Sequence, residues 1–176
     1  MTNIVYIATS LDGYIAAEDG GLGWLQEAPN PEGSDFGFGA FMDRIDALVM
    51  GRNTYETVLT FGDWPYSKPV FVVSSTLRDV PAHLADRVEI VKGEPQNLVA
   101  QLADRGFNTL YIDGGVTIQR FLTADLIDEL IITRVPILLG GGYPLFDRLE
   151  QPLRFRHVET EVLNDTLVKS RYVRMR

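Results

Sequence analysis

Three times along this chain an apolar run ends in a glycine-containing turn that opens into residues at helical spacing, and that recurrence constrains the fold more than any other feature. Ala47-Leu48-Val49-Met50 leads through Gly51-Arg52-Asn53-Thr54 to Tyr55, Val58 and Leu59, which share one helical face. Val88-Glu89-Ile90-Val91 closes on Lys92-Gly93, and Leu98, Leu102 and Ala103 then mark an amphipathic helix capped by Gly106. Leu110-Tyr111-Ile112 enters Asp113-Gly114-Gly115, and Val116 to Leu122 continue at helical spacing. Strands alternating with helices predict an α/β fold with a mainly parallel sheet.

The other segments fit around that unit. Ile4 to Ala8 reads as a first buried strand ended by the turn pair Asp12-Gly13, after which Tyr14-Ile15-Ala16 resumes extended character. Between Glu18 and Gly39 eight residues are Gly or Pro, which predicts a long loop containing Trp24 and ending in a helix near Phe38 to Asp43. Loops of that length in compact domains are usually functional or disordered. Pro69 to Val73 is a strand closing on Ser74-Ser75-Thr76, and Leu130 to Thr133 is another, with Asp128 and Glu129 before it read as a solvated helix end. Phe155 to Leu163 and Leu167 to Val173 flank Asn164-Asp165, a hairpin that adds antiparallel strands at the edge. No linker or fixed-period repeat interrupts the chain, so one domain over residues 1–176 is expected.

Composition narrows the chemistry. At 176 residues the chain can bury about 70% of its extended surface, enough for a core without staples. The absence of cysteine excludes thiolate catalysis and disulfides, and His83 and His157 are too far apart in sequence to suggest a histidine-rich metal site. A formal charge of −8 argues against a general nucleic-acid or anionic-membrane surface. The amino-terminal residues lack a basic stretch followed by an apolar one, so a cytoplasmic protein is expected.

In an open α/β sheet, ligands collect outside the carboxyl ends of the strands, where free helix amides favour phosphate. Gly51-Arg52-Asn53-Thr54, Ser74-Ser75-Thr76 and Gly114-Gly115-Val116-Thr117 stand at such junctions. Glycines admit close main-chain approach, hydroxyls donate, and Arg52 offers a cationic fork for a phosphate monoester. Each also has an ordinary structural reading as a turn, a helix cap or a solvated charge. The combination is what points to a phosphorylated dinucleotide. The spacing is not the Rossmann fingerprint, and no glycine-rich turn follows the first strand.

The runs Met50-Gly51-Arg52-Asn53-Thr54-Tyr55-Glu56 and Tyr111-Ile112-Asp113-Gly114-Gly115 resemble the dihydrofolate reductase-like family. Ser10 to Ala16, Leu126 to Leu130 and Pro136 to Gly142 are similar to its branch formed by the carboxyl-terminal reductase domain of the riboflavin-biosynthesis deaminase-reductase. The resemblance implies a three-layer α/β/α fold, a mixed and mainly parallel central sheet, and NADPH as hydride donor. It carries Gly51, Arg52 and Thr54 to the 2′-phosphate and pyrophosphate, Ser74 and Ser75 to the next phosphate and adenine, and Gly114, Gly115, Thr117 and Ile118 to the pyrophosphate. Ala8 matches a main-chain contact to the nicotinamide carboxamide.

By the same resemblance an acidic residue at the start of the helix after the Trp-containing loop organises the proton, and Asp35 is the nearest one, with a helix cap as its alternative. Trp24 belongs to the loop expected to close over nicotinamide and substrate, or serves as its hydrophobic clasp. Asp12 is either a substrate contact or a turn residue. The reductase of riboflavin synthesis needs a second basic pocket for a substrate phosphate, for which Arg44, Lys68 and Lys92 qualify by type. A pyrimidine, a pteridine such as dihydrofolate, or another small carbonyl or imine compound are the acceptors open to such a fold. A non-catalytic nucleotide-binding module is the competing class, and the exposed terminal hairpin suggests a homodimer.

Overall fold

The computed structural model describes residues 1–176. Its centre is an eight-stranded sheet in the order β5-β4-β3-β6-β1-β7-β10-β9. Here β1 is Thr2–Thr9, β3 Ala47–Gly51, β4 Val70–Val73, β5 Val88–Val91, β6 Thr109–Asp113, β7 Glu129–Arg134, β9 Phe155–Leu163 and β10 Leu167–Arg174. All pairings from β5 across to β7 are parallel, and β10 and β9 add the expected antiparallel hairpin. Asn164 and Asp165 take φ of 49° and 54°, the left-handed pair at the centre of the turn that the Thr166 amide closes on the Leu163 carbonyl at 3.1 Å. A separate pair joins β2 (Tyr14–Ala16) to β8 (Tyr143–Pro144).

Central strands are apolar at consecutive positions because helices cover both sides. In β3, Leu48 and Met50 enter one core cluster while Ala47 and Val49 enter the other. On the first face lie α2 (Phe38–Arg44) and α3 (Arg52–Leu59), which contribute Phe41, Met42, Tyr55 and Val58. On the second lie α4 (Pro95–Asp104) and α5 (Gly115–Thr123), with Leu98, Leu102, Ile118 and Phe121. Right-handed crossovers dictate this split. From β3 the chain moves outward to β4, and from β6 it moves past β1 to β7, so α3 and α5 leave adjacent strands toward opposite faces. The carboxyl ends of β3 and β6 are therefore a switch point, where a crevice opens.

Three local features were not expected from the sequence. The long loop contains a single helical turn, α1 (Gly23–Gln26), Ala82–Leu84 form one 3₁₀ turn, and β8 is paired. Another reading needs correction, because Glu129 is not a solvated helix end. It lies in β7 at 5% exposure. There it accepts from Arg44 at 3.0 Å and from Arg171 at 2.9 and 3.0 Å. Asp128 likewise accepts the Asn3 amide at 2.8 Å and the Arg176 guanidinium at 2.6 Å.

Candidate active site

Strand pairing brings the three phosphate-type junctions together. β4, β3 and β6 are neighbours, so Ser74, Gly51 and Gly114 end adjacent strands. Two contacts lock the β3 and β6 junctions. A Cβ on Gly51 would stand 2.9 Å from Thr117 Oγ1, and one on Gly114 would collide with Thr54 Oγ1. Gly114 also has φ of +88°, which a side chain rarely tolerates, so glycine is required there twice over. Neither α3 nor α5 has a side-chain cap at its N-terminus. The first amides of both helices, including those of Thr54, Gly115 and Thr117, have no partner farther back in their own helices, and the two starts abut where Gly51 meets Thr117 and Gly114 meets Thr54, so the helix dipoles add there. Ile118 has turned inward: its side chain is fully buried and its amide donates to the Gly114 carbonyl at 2.8 Å.

A cleft of about 640 Å³ lies at the start of α3 and the end of β4, lined by Arg52, Asn53, Ser74, Ser75, Thr76 and Lys92 among others. Arg52 is braced rather than loose. Its Nε donates to Glu56 at 2.7 Å and its guanidinium to Thr76 Oγ1 at 2.9 Å. Ser74 is buried, and its hydroxyl accepts the Thr76 and Leu77 amides, so it shapes the turn while Ser75 stays exposed. Thr76 and Arg120 were assigned no role from the sequence, and Lys92 was named only for a substrate phosphate. Thr76 sat in a quoted run, whereas Lys92 and Arg120 lie in other segments and only strand order brings them in.

Ala8 lies beside a gap. Pairing of β1 with β6 stops at Ile4 and Tyr111, whereas pairing with β7 runs on to Thr9. The Tyr6 carbonyl takes the Tyr111 hydroxyl at 2.9 Å, and beyond it the β6-facing main chain of β1 has no strand partner. A donor and acceptor edge of that kind suits a carboxamide.

The acidic candidates separate. Asp35 accepts the amides of Gly37 at 2.8 Å and Gly39 at 2.9 Å, and the Gly39 amide first, then that of Gly37, holds its carboxyl below the usual range. It secures the start of α2 and is ionised at neutral pH. Asp12 is more than a turn residue, for it accepts the Ser10 hydroxyl at 2.6 Å and the Leu139 and Gly140 amides at 3.1 and 2.8 Å. The Ser10 hydroxyl is the main reason its pKa is lowered. Trp24 is buried in a small satellite core with Val135 and Leu167, where it fastens the long loop.

Asp113 was quoted in a sequence run but assigned no role. It ends β6 half-buried, on the same face as Tyr111, and its Oδ1 accepts the Gly114 amide at 2.8 Å. Burial pushes its pKa up to about 6, against the opposing pull of that amide. A carboxyl whose pKa stands at about 6 beside the glycine loop is a candidate acid. The available signal was a charged residue closing an otherwise apolar strand.

The three residues that qualify by type for a second basic pocket do not come together. Arg44 is committed to Glu129, Lys92 lines the phosphate-type cleft, and Lys68 precedes β4 at the opposite end of the sheet.

Comparison with known proteins decides the family. The sequence model of the RibD C-terminal domain matches residues 2–169. The chain belongs to that family. A crystal structure from Shewanella sp. PV-4, named provisionally as a riboflavin biosynthesis protein, is 58% identical and superposes with a TM-score of 0.97 over 100% of both chains. The Thermotoga maritima diaminohydroxyphosphoribosylaminopyrimidine deaminase/5-amino-6-(5-phosphoribosylamino)uracil reductase shares the fold at TM-score 0.75 and 15% identity, covering 99% of this chain and 56% of that one. Dihydrofolate reductase from Enterococcus faecalis does so at TM-score 0.65 and 19% identity, covering 98% and 96%. The RibD C-terminal family member described here thus has the dihydrofolate reductase-like fold and belongs to a reductase-type family. No helix in it is long and apolar enough to cross a membrane.

Proposed function

We propose that this RibD C-terminal family member is an NADPH-dependent reductase of a small pyrimidine-, pteridine- or carbonyl-type compound, acting in the cytoplasm. The observation that carries the reading is the meeting of two uncapped helix N-termini beside a braced arginine, a combination built for a phosphorylated dinucleotide. NADPH, when bound, supplies hydride to carbon. The chain supplies orientation and the proton. Amides at the starts of α3 and α5 hold pyrophosphate; Arg52, Lys92 and Thr76 select the 2′-phosphate; Ser75 and the Ser74 turn border the adenosine; and the open main chain at Ala8 aligns the carboxamide.

A carbonyl acceptor needs a proton on oxygen as hydride reaches carbon, and we assign that proton to Asp113. Asp35 takes a positioning role, fixing α2 over the acceptor. Trp24 and Asp12 hold the loops that shut water out, at residues 18–37 and 137–142. We further place a second copy against the free edge of β9, which sedimentation velocity tests: a monomer at micromolar concentration rejects it.

The cofactor test is Arg52→Ala. Loss of a charge-assisted bond to the 2′-phosphate should weaken NADPH by about 1.5–3 kcal/mol and leave NADH nearly unchanged, read by titration of nucleotide fluorescence. Equal losses for both nucleotides remove Arg52 from that role. NADPH binding without oxidation of any acceptor in a broad screen would favour the non-catalytic module.

A further inference from the structure

The cations of this chain are sorted along the proposed cleft. Arg52, Lys92 and Arg120 line its phosphate end. The acceptor end is a row of residues side by side across four strands: Ala8, Thr133, Lys169 and Glu161. That row stands two residues beyond Tyr6, on the face covered by α2.

Lys169 is the single cation in the row, and two of its three donors are already engaged. Its Nζ lies 2.5 Å from Glu161 Oε1 and donates to the Phe36 carbonyl at 2.9 Å. The same carbonyl accepts the Tyr6 hydroxyl at 2.9 Å. Phe36 itself is held at φ of 55°, so withdrawing Lys169 would loosen a strained turn at the head of α2. Arg171, one step back, is bound to Glu129 and Glu159. Arg134 ends β7 but alternates onto the opposite face with Leu130 and Ile132. The carboxyls nearby are Asp35, Glu161 and Asp113, and the first two act on Tyr6 through space.

A phosphate monoester carries nearly two negative charges and is recognised through charge-assisted donors. At this end it would meet the carboxyls of Asp35 and Glu161, and the one cation in the row, Lys169, is already neutralised by Glu161. We infer that the acceptor carries no phosphate or other anionic group and binds as a neutral or cationic carbonyl or imine compound. This rests on the reductase reading and narrows it, away from the phosphoribosyl compound for which the Thermotoga enzyme is named.

The test starts from protein saturated with NADP⁺, so that the phosphate end is filled. Inorganic phosphate and ribose 5-phosphate are then titrated while tryptophan fluorescence is followed. The expected result is no saturable response to either at millimolar concentration. A saturable response that Lys169→Gln weakens by about tenfold or more, and Arg52→Ala does not, overturns the inference. A response sensitive to Arg52→Ala alone belongs to the phosphate end and leaves it standing. In a second arm, NADPH oxidation is measured with carbonyl compounds paired with their phosphate esters, and the unesterified member should lead by about tenfold or more in kcat/KM. A lead for the ester overturns the inference. Failure of the reductase reading is visible separately, as failure of NADP⁺ itself to saturate the protein.

Discussion

Glu129 and Asp113 are both carboxylates drawn out of water in one sheet, and the fold treats them in opposite ways. At the start of β7, burial raises the Glu129 pKa, but Arg171 and Arg44 together outweigh it and leave the group below its ordinary value. At the end of β6, Asp113 has only neutral donors, the Gly114 amide and then the Tyr111 hydroxyl, to set against burial and rises to about 6. The first arrangement is a closed ionic cluster that serves the fold. The second costs the fold free energy whenever the carboxyl ionises, and such a cost marks a site better than charge does.

The largest expected effect breaks the comparison at its reactive end. Asp113→Asn keeps the bond to the Gly114 amide and removes the proton, so turnover with a carbonyl acceptor should fall about a hundredfold or more with NADPH affinity unchanged. The same variant should melt higher than the parent at pH 8. A raised pKa favours the fold below the ordinary carboxyl range, and that contribution is lost as pH rises through about 6. Unaltered turnover, or no gain in melting temperature, removes Asp113 from the role.

Glu129→Ala should act in the other sense, lowering stability by about 2 kcal/mol in urea unfolding while sparing the cofactor cleft. That lies below the range for wholly buried pairs because Arg44 and Arg171 side chains are 43% and 32% exposed. Because its folded pKa is depressed, the Glu129 contribution is present above the ordinary glutamate value and is lost as pH falls below it. The parent and Glu129→Ala should therefore converge in stability in acid. The smallest effect belongs to Asp35→Asn. An amide oxygen can still accept one of the two glycine amides, so turnover should change by less than roughly threefold, and a loss comparable to Asp113→Asn would return the proton to Asp35.

Much of the fold was legible because parallel strands are apolar at every position and punctuated by glycine. β3 and β6 with their helices, and the hairpin turn at Asn164-Asp165, follow from local chemistry alone. The glycine and hydroxyl residues of the phosphate end were legible for the same reason. Lys92 and Arg120 were not, since they enter the cleft only through strand order, which crosses from β5 back to β6 between β3 and β1. Glu129 was misread because its two arginines come from 85 and 42 residues away. A charge looks solvated until such partners are known.

The terminal hairpin reaches back to the long loop near the start of the chain. Asn164 donates to the Pro29 carbonyl at 3.0 Å, Leu167 packs on Trp24, and Lys169 holds Phe36. During synthesis the ribosome therefore delivers the loop long before its anchors, and the loop has nothing to settle on until the last strand has emerged. A nascent chain arrested ahead of β10 would carry most of the sheet yet leave Trp24 without its partner Leu167, a natural substrate for quality-control proteases.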